Sequence, residues 1–166
     1  GEIFALIGPN GAGKSTTLRI LTTVLSPTSG NVEIFGHNLA HEANKIREVI
    51  SYLPEEAGAY KNLTGKQYLT FMAEPFSSDT TTVTKFVTTA EEVSKLGLRL
   101  KDKIKTYSKG MTRKLLLART VMTKPRLAIL DEPTSGLDII NGLEIRKTIK
   151  TLSKQIPYNY DHSNPI

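Results

Sequence analysis

The sequence contains no cysteine among its 166 residues. It therefore has no disulfide framework, no thiolate nucleophile and no thiolate metal site. Long apolar runs are also missing, since none approaches the roughly 20 residues that a membrane-spanning helix needs. An apolar share of 39% and a charged share of 23% are ordinary values for a globular chain. We therefore expect one globular domain that is long enough to bury a core.

Blocks of like charge are absent as well. The 22 basic residues outnumber the 16 acidic ones and give a net charge of +6, but they are spread along the chain. Such a balance is compatible with phosphate ligands, nucleic acid or an anionic membrane face. We interpret the basic residues as ordinary surface and expect no direct contact with nucleic acid. His37 and His41 are likewise interpreted as exposed side chains and not as ligands.

The sequence does contain a glycine-rich stretch that fits the pattern G-x-x-x-x-G-K-[ST]. Its three glycines are expected at positive φ, where they let backbone N–H groups approach a polyphosphate. The lysine can then reach the β- and γ-phosphates, and the hydroxyl that follows it can bind Mg²⁺. The stretch consists of Gly8, Pro9, Asn10, Gly11, Ala12, Gly13, Lys14, Ser15 and Thr16.

The residues on both sides of this stretch match the context that a phosphate-binding loop requires. Residues 3–7 form an apolar run, which predicts a buried strand. Leu18, Leu21 and Leu25 follow at helical spacing, so the positive N-terminal end of a helix would face the anion.

The rest of the chain alternates between strand and helix signals, which predicts an α/β fold. Residues 80–84 favour a strand by their threonine content. The apolar residues from Val83 to Val93 nevertheless recur with a period of 3.6, and we let this period decide for a helix. Helices are predicted over 42–48, 63–74, 80–96, 111–123 and 139–154, and strands over 32–36, 49–53 and 127–130.

Two acids follow the last predicted strand. Asp131 and Glu132 come directly after the apolar run Leu127–Leu130, which predicts a strand buried on both faces. Ligands of open α/β sheets bind at the carboxyl ends of parallel strands, so Asp131 can lie beside a Mg²⁺ held by Ser15. Glu132 could orient a water for attack on the γ-phosphate. Taken alone, two such acids are as often only a helix cap and a turn.

Together these motifs resemble the ATP-binding cassette (ABC) ATPases over nearly all of residues 1–154. Ser108 and Gly110 stand where that family has its signature motif, and residues 135–138 match its D-loop. The resemblance implies a P-loop NTPase fold, with a RecA-like core of mostly parallel strands and a helical segment inserted at about 56–105. It also implies a head-to-tail dimer, in which Ser108, Gly110 and Asp138 act on the ATP of the other subunit. For Ser108 alone, a plain helix cap is the alternative.

The sequence departs from the family pattern at three positions. Glu55 stands where the family usually has a glutamine, and a carboxylate there could still bind Mg²⁺ or a water. Lys109 and Met111 replace a glycine and a glutamine of the signature. The resulting signature sequence, Tyr-Ser-Lys-Gly-Met, is similar to that of an export-type branch of the family.

Both ends of the chain also differ from the family. The chain starts at Gly1 directly before the first predicted strand, so we expect a fragment that lacks both ends of the domain. The aromatic residue that stacks on adenine in the family would precede this start, which predicts weaker ATP binding. Residues 155–166 are predicted to be an irregular tail, in which His162 is a candidate for the family's switch histidine.

The resemblance implies ATP binding and Mg²⁺-dependent hydrolysis by the nucleotide-binding subunit of a membrane transporter. The implied partners are a second nucleotide-binding domain and a membrane permease, at the cytoplasmic face of the membrane. Two alternatives stay open: a soluble cassette ATPase of DNA repair or translation, and a nucleotide-binding remnant without catalysis. The candidate catalytic residues are Glu132, Lys14, Glu55 and His162, and the candidate Mg²⁺ ligands are Ser15, Asp131 and Glu55.

Overall fold

The computed structural model describes residues 1–155 of the chain. None of the described helices combines the length and the apolar character that crossing a bilayer requires. The helices are α1 (Lys14–Leu21), α2 (Ala43–Val49), α3 (Gly65–Ala73), α4 (Thr80–Ser94), α5 (Lys109–Val121) and α6 (Ile139–Gln155). The strands are β1 (Glu33–Ile34), β2 (His37–Asn38), β3 (Ile50–Leu53) and β4 (Leu127–Leu130), and short 3₁₀ turns cover Glu74–Phe76, Gly97–Lys101 and Ile104–Thr106.

The strands β3 and β4, both predicted from the sequence, lie side by side in parallel. Ile50 is opposite Leu127, and Leu53 is opposite Leu130. The pairing continues beyond the strands, because the Asp131 N–H donates to the Leu53 carbonyl at 2.9 Å. Since parallel strands end at the same edge of a sheet, the loops after β3 and β4 begin next to each other.

Residues 3–7 do not form the buried strand that their apolar sequence predicts. They have no regular secondary structure, and Phe4 and Ile7 each expose 88% of their surface. An apolar strand is buried only where a neighbour pairs with its edge and other elements cover its faces. Among residues 1–155, no strand pairs with this segment. The prediction that β4 is buried on both faces is also wrong, since only Ile129 of that strand is buried.

The predicted edge strand over 32–36 is a tight hairpin of β1 and β2. Its turn residues, Phe35 and Gly36, have φ of +53° and +79°, as a two-residue turn between antiparallel strands requires. Behind the hairpin, Ile34, Leu39 and Ile46 form a small buried cluster. This cluster joins the hairpin to α2 and to the end of α1.

The main core lies between the helices α3, α4 and α5, against β3. Leu53, Leu69, Ala90 and Leu115 are fully buried there. Helices α3 and α4 lie within the segment that is expected to be inserted at about 56–105. Helix α5 follows this segment. The helical segment therefore shares its core with α5 and with Leu53 of β3, which lie outside it.

Helix α4 confirms that periodicity outweighs threonine propensity in this stretch. Asp79 caps the helix by accepting hydrogen bonds from the Thr81 and Thr82 N–H groups. The Thr84 hydroxyl donates to the Thr80 carbonyl one turn earlier at 2.8 Å. Since the hydroxyls find partners within the helix, the threonines do not prevent the apolar face from packing.

Candidate functional site

The glycine-rich loop leads directly into α1. Gly11 and Gly13 have φ of +82° and +84°, a left-handed conformation that is costly for other residues. Gly8 does not share it, so the prediction of positive φ is wrong at that glycine. A Cβ on Gly8 would lie 3.4 Å from the Ala12 Cβ. The loop is therefore tight at Gly8 and open at Gly11 and Gly13, where a backbone can face a ligand.

The Lys14 side chain folds back over this loop. Its Nζ donates to the Gly8 carbonyl at 2.7 Å and to the Pro9 carbonyl at 2.9 Å. A lysine ammonium has three donors, so it can bind a phosphate oxygen without losing both loop contacts. Lys14 is half-buried, as expected for a cation at the edge of a cleft.

Ser15 and Asp131 lie next to each other although they are 116 positions apart in the sequence. Ser15 Oγ donates to Asp131 Oδ1 at 3.5 Å, and Asp131 is only 6% exposed. This separation exceeds the about 2.7–2.8 Å of a usual O–H···O bond, so the two oxygens are neighbours without a tight bond. A hydroxyl and a carboxylate are suitable Mg²⁺ ligands, because this ion uses one or two protein carboxylates together with phosphate oxygens. The expected meeting of the glycine-rich loop and the strand end is present.

Tyr52 is a neighbour of Asp131 that the sequence motifs did not reveal. Its hydroxyl donates to Asp131 Oδ2 at 3.4 Å. Burial raises the pKa of the Tyr52 phenol, and the negative charge of Asp131 raises it further. The phenol therefore stays protonated and acts as a donor. The sequence alone does not reveal this contact, because it depends on the strand register, which places Tyr52 opposite Ile129.

The other two candidate acids lie on the loops after β4 and β3. Glu132 is exposed and has φ of +46°, which an L-residue adopts only where its surroundings impose it. Glu55 is also exposed, and its Oε1 accepts a hydrogen bond from Ser135 Oγ at 2.9 Å. Ser135 begins the D-loop-like stretch, so this bond joins the two loops. Among residues 1–155, no hydrogen bond joins Glu55 to Ser15 or to Asp131.

Arg113, on α5, lies between these two loops. It is only 7% exposed, yet it forms no ion pair within the described part of the chain. Burial lowers the pKa of Arg113, while the negative charges of Glu55 and Asp131 favour its cationic form. Its guanidinium donates to the carbonyls of Pro133 (2.8 Å), Pro54 (3.2 Å), Glu55 (3.0 Å), Asp131 (3.1 Å) and Glu132 (2.6 Å). In the sequence, nothing separates Arg113 from the other basic residues of α5, which are Lys109, Lys114 and Arg119.

The signature-like and D-loop-like stretches lie at the starts of α5 and α6. Ser108 is the N-cap of α5, and its Oγ accepts a hydrogen bond from the Met111 N–H at 3.2 Å. Asp138 accepts one from the Asn141 N–H at 2.9 Å, and this bond lowers the pKa of the Asp138 carboxyl. A Cβ on Gly110 would lie 2.5 Å from the Asn141 Cγ. The two helix starts therefore pack so closely that a side chain at position 110 would require the Asn141 side chain to move.

The histidines contribute no metal site in the described residues. His41 is exposed as expected, but His37 is half-buried, and its Nδ1 lies 3.2 Å from Glu42 Oε1. Residues 1–155 contain no group of three or more His, Cys, Asp or Glu side chains that could hold a metal. His162 lies outside the described residues, as does the predicted tail beyond the end of α6.

The geometry can be compared with known proteins. A family model described as ABC transporter matches residues 1–135. The chain belongs to the ABC transporter ATP-binding proteins. The linearmycin resistance ATP-binding protein LnrL of Bacillus subtilis (strain 168) is 36% identical over 154 residues, which cover 93% of this chain and 50% of LnrL. The bacitracin transport ATP-binding protein BcrA of Bacillus licheniformis is 38% identical over 157 residues, again covering 93% of this chain and 50% of BcrA.

This ABC chain thus spans about half the length of the curated relatives it matches. Among solved structures, cbiO1 from Clostridium perfringens, part of the ABC transporter complex cbiONQ, is similar with a TM-score of 0.78 and 25% identity. The similarity covers 90% of this chain and 61% of cbiO1. The family resemblance and the P-loop NTPase fold predicted from the sequence are confirmed.

Proposed function

We propose that this chain binds ATP and hydrolyses it in a Mg²⁺-dependent reaction that powers transport across a membrane. The observation that carries the proposal is the 3.5 Å separation of Ser15 Oγ and Asp131 Oδ1. It brings the end of the glycine-rich loop next to the strand-end carboxylate, as phosphoryl transfer requires. The names of LnrL and BcrA, which refer to linearmycin resistance and to bacitracin transport, support the link to transport.

The phosphate groups are proposed to rest on the loop from Gly8 to Thr16. Its open glycines give a ligand access to the backbone, and Gly13, the N-cap of α1, provides no side-chain cap. The first amides of α1 can therefore donate to phosphate oxygens. Lys14 adds a positive charge that can reach the β- and γ-phosphates.

The Mg²⁺ ligands are proposed to be Ser15 and Asp131, with Glu55 as a third candidate. Mg²⁺ bound there would neutralise charge that develops on the β- and γ-phosphate oxygens. Tyr52 supports this arrangement, because its hydroxyl bond to Asp131 Oδ2 orients the carboxylate. Glu55 would have to leave its hydrogen bond to Ser135 before its carboxylate could bind the ion or a water.

Glu132 is proposed to orient the water that attacks the γ-phosphate. It directly follows Asp131 and is exposed, so its carboxylate is accessible to a water and a nucleotide in the cleft. The two neighbouring acids would then have different roles. The buried Asp131 would hold the metal, and the exposed Glu132 would hold the water.

Two partners are proposed. Ser108, Gly110 and Asp138 would act on the ATP of a second nucleotide-binding domain in a head-to-tail dimer. Ser108 suits this role, because its Oγ accepts the Met111 N–H while its hydroxyl hydrogen can donate to a phosphate oxygen. A membrane permease, bound near Glu55 and the helical segment, would hold the chain at the cytoplasmic face of the membrane. The transporter complex that contains cbiO1 supports this assembly.

The experiment that tests this function is Mg-ATP turnover by the complete protein, with Glu132→Gln as the variant. We expect turnover to fall by about 100-fold or more, as when a group that acts only in the transition state is removed. Glu56→Gln is the matched control, since Glu56 is also an exposed acid on a loop at the same sheet edge. Equal turnover of the unmodified protein and Glu132→Gln would favour the non-catalytic remnant.

A binding experiment tests the phosphate loop separately. Lys14→Ala should weaken Mg-ATP binding by about 30-fold or more, because the loss of a charged hydrogen-bond partner costs about 2–5 kcal/mol. Isothermal titration calorimetry measures this change directly. Unchanged affinity in Lys14→Ala would contradict the assignment of residues 8–16 as the phosphate-binding loop.

A further inference from the structure

The Arg113 guanidinium uses its full donor capacity on main-chain carbonyls. An arginine has five N–H donors in a rigid planar fork. Arg113 makes five hydrogen bonds of 2.6 to 3.2 Å, and every acceptor is a backbone oxygen. A buried charge that stabilised the fold by charge pairing would have a carboxylate partner, and this one has none in the described residues. The Arg113 guanidinium therefore holds parts of the main chain in place.

The acceptors come from two loops that are distant in sequence. Nη1 donates to the carbonyls of Pro54 and Glu55, directly after β3. Nε and Nη2 donate to three successive carbonyls after β4, at residues 131–133. Arg113 thus joins the loop with Glu55 to the loop with Asp131 and Glu132.

The shortest of these bonds holds the strained residue. Nη2 lies 2.6 Å from the Glu132 carbonyl, and Glu132 has φ of +46°. Such a backbone conformation persists only when the surrounding structure fixes it. Without the bond, Glu132 could relax toward a negative φ, and the direction of its side chain would change with its backbone.

We propose that Arg113 is a positioning residue for ATP hydrolysis: it fixes the backbone of Glu132, and thereby the direction of the carboxylate, by bridging the loops after β3 and β4. The inference rests on the proposed function, since it assumes that Glu132 orients the attacking water. It also explains why an arginine stands at this position. A lysine ammonium has three donors on a single nitrogen and cannot reach five carbonyls on two loops.

The test compares Arg113→Lys with the unmodified complete protein. We expect kcat for Mg-ATP to fall by about 10- to 100-fold, because displacement of a reacting group by about 1 Å can cost 100-fold. The Kd for Mg-ATP should change much less than kcat, since no hydrogen bond within the described residues joins Arg113 to the phosphate loop. Arg119→Lys is the matched control: this half-buried arginine of the same helix makes one 3.4 Å bond, to the Tyr52 carbonyl.

A double variant separates positioning from a general structural role. If Arg113 acts through Glu132, adding Arg113→Lys to Glu132→Gln should lower kcat no further. Melting temperatures are measured first. If Arg113→Lys does not fold, Arg113→Gln replaces it, because its planar neutral amide keeps two donors.

Three results would overturn the inference: unmodified kcat in Arg113→Lys, parallel losses in kcat and Mg-ATP affinity, or a full additional loss on top of Glu132→Gln. The proposed function can be judged separately. Absence of Mg-ATP turnover in the unmodified protein would overturn both proposals. Normal turnover there, together with normal turnover in Arg113→Lys, would overturn only the role of Arg113.

Discussion

The helices α3, α4 and α5 pack around fully buried side chains, whereas α1 and the glycine-rich loop before it bury none. Leu115 on α5 is fully buried, while Ile7, just ahead of the loop, is 88% exposed. The helical region is held together mainly by apolar packing. The glycine-rich loop and α1 are held instead by backbone conformation and by a few polar contacts, among them those of Lys14. In this chain, the glycine-rich loop thus lies where apolar packing contributes least to stability.

The largest predicted effect is the difference between Leu115→Ala and Ile7→Ala in the 166-residue chain. Leu115→Ala should reduce the free energy of unfolding by about 2–5 kcal/mol, because it opens a cavity among buried neighbours. Ile7→Ala should change it by less than about 0.5 kcal/mol, as exposed substitutions usually do. Urea denaturation measures both values. Similar losses in the two variants would mean that residues 3–7 are packed in solution.

The same contrast explains which parts of the fold could be predicted. The amphipathic period of α4 and α5 is a local signal, and these helices find their partners within the described residues. The apolar run over 3–7 is an equally clear signal for a buried strand, but burial depends on a pairing partner that periodicity cannot supply. A sequence pattern therefore predicts how a segment would be buried, and not whether its neighbours are present.

Two glycine substitutions sharpen the comparison within helices. Gly65→Ala on α3 should destabilise the chain by about 1–3 kcal/mol, because its Cβ would lie 2.3 Å from the Tyr107 hydroxyl and 3.3 Å from the Leu100 Cα. Gly142→Ala on α6 should stabilise it by about 0.5–1 kcal/mol, since the nearest atom, the Thr134 Cβ, is 4.0 Å away. Thermal unfolding shows whether each substitution raises or lowers the stability of the chain. A stabilising Gly65→Ala would show that the contact between α3 and Tyr107 is looser than described.

The candidate site was predictable where a motif fixes residue types. The glycine pattern identifies Lys14 and Ser15, and the end of an apolar strand identifies Asp131, so their meeting could be expected. Tyr52 and Arg113 could not be identified by motif. The contact of Tyr52 depends on strand register, and Arg113 binds backbone carbonyls, whose positions depend on the loops and not on side-chain identity.

Substitutions at the starts of α5 and α1 test the same difference between the two regions, with smaller expected effects. Ser108→Ala should destabilise the chain by about 1 kcal/mol, because the Ser108 side chain caps α5 and this loss leaves the Met111 N–H without its acceptor. Ser15→Ala should have less than half this effect, since α1 has no side-chain cap and the Ser15 contact to Asp131 is long, at 3.5 Å. Urea denaturation without nucleotide measures both. A larger loss of stability in Ser15→Ala than in Ser108→Ala would contradict the inference that α1 is held by only a few contacts.

The smallest predicted effect concerns pH and the polar contacts between the β1–β2 hairpin and the start of α2. The pKa of Glu42 is lowered from 4.5 to about 2, chiefly by its hydrogen bond from Lys45, and also by the Asn38 N–H and His37. Because the pKa of the folded state lies below the ordinary value, the carboxylate stabilises the fold above about pH 4.5. This contribution is lost as the pH falls toward 2. Glu42→Gln should therefore be less stable than the unmodified chain at pH 7, by an amount that shrinks with added salt and vanishes near pH 2. An NMR titration of the Glu42 carboxyl with a midpoint near 4.5 would show that these contacts do not persist in solution.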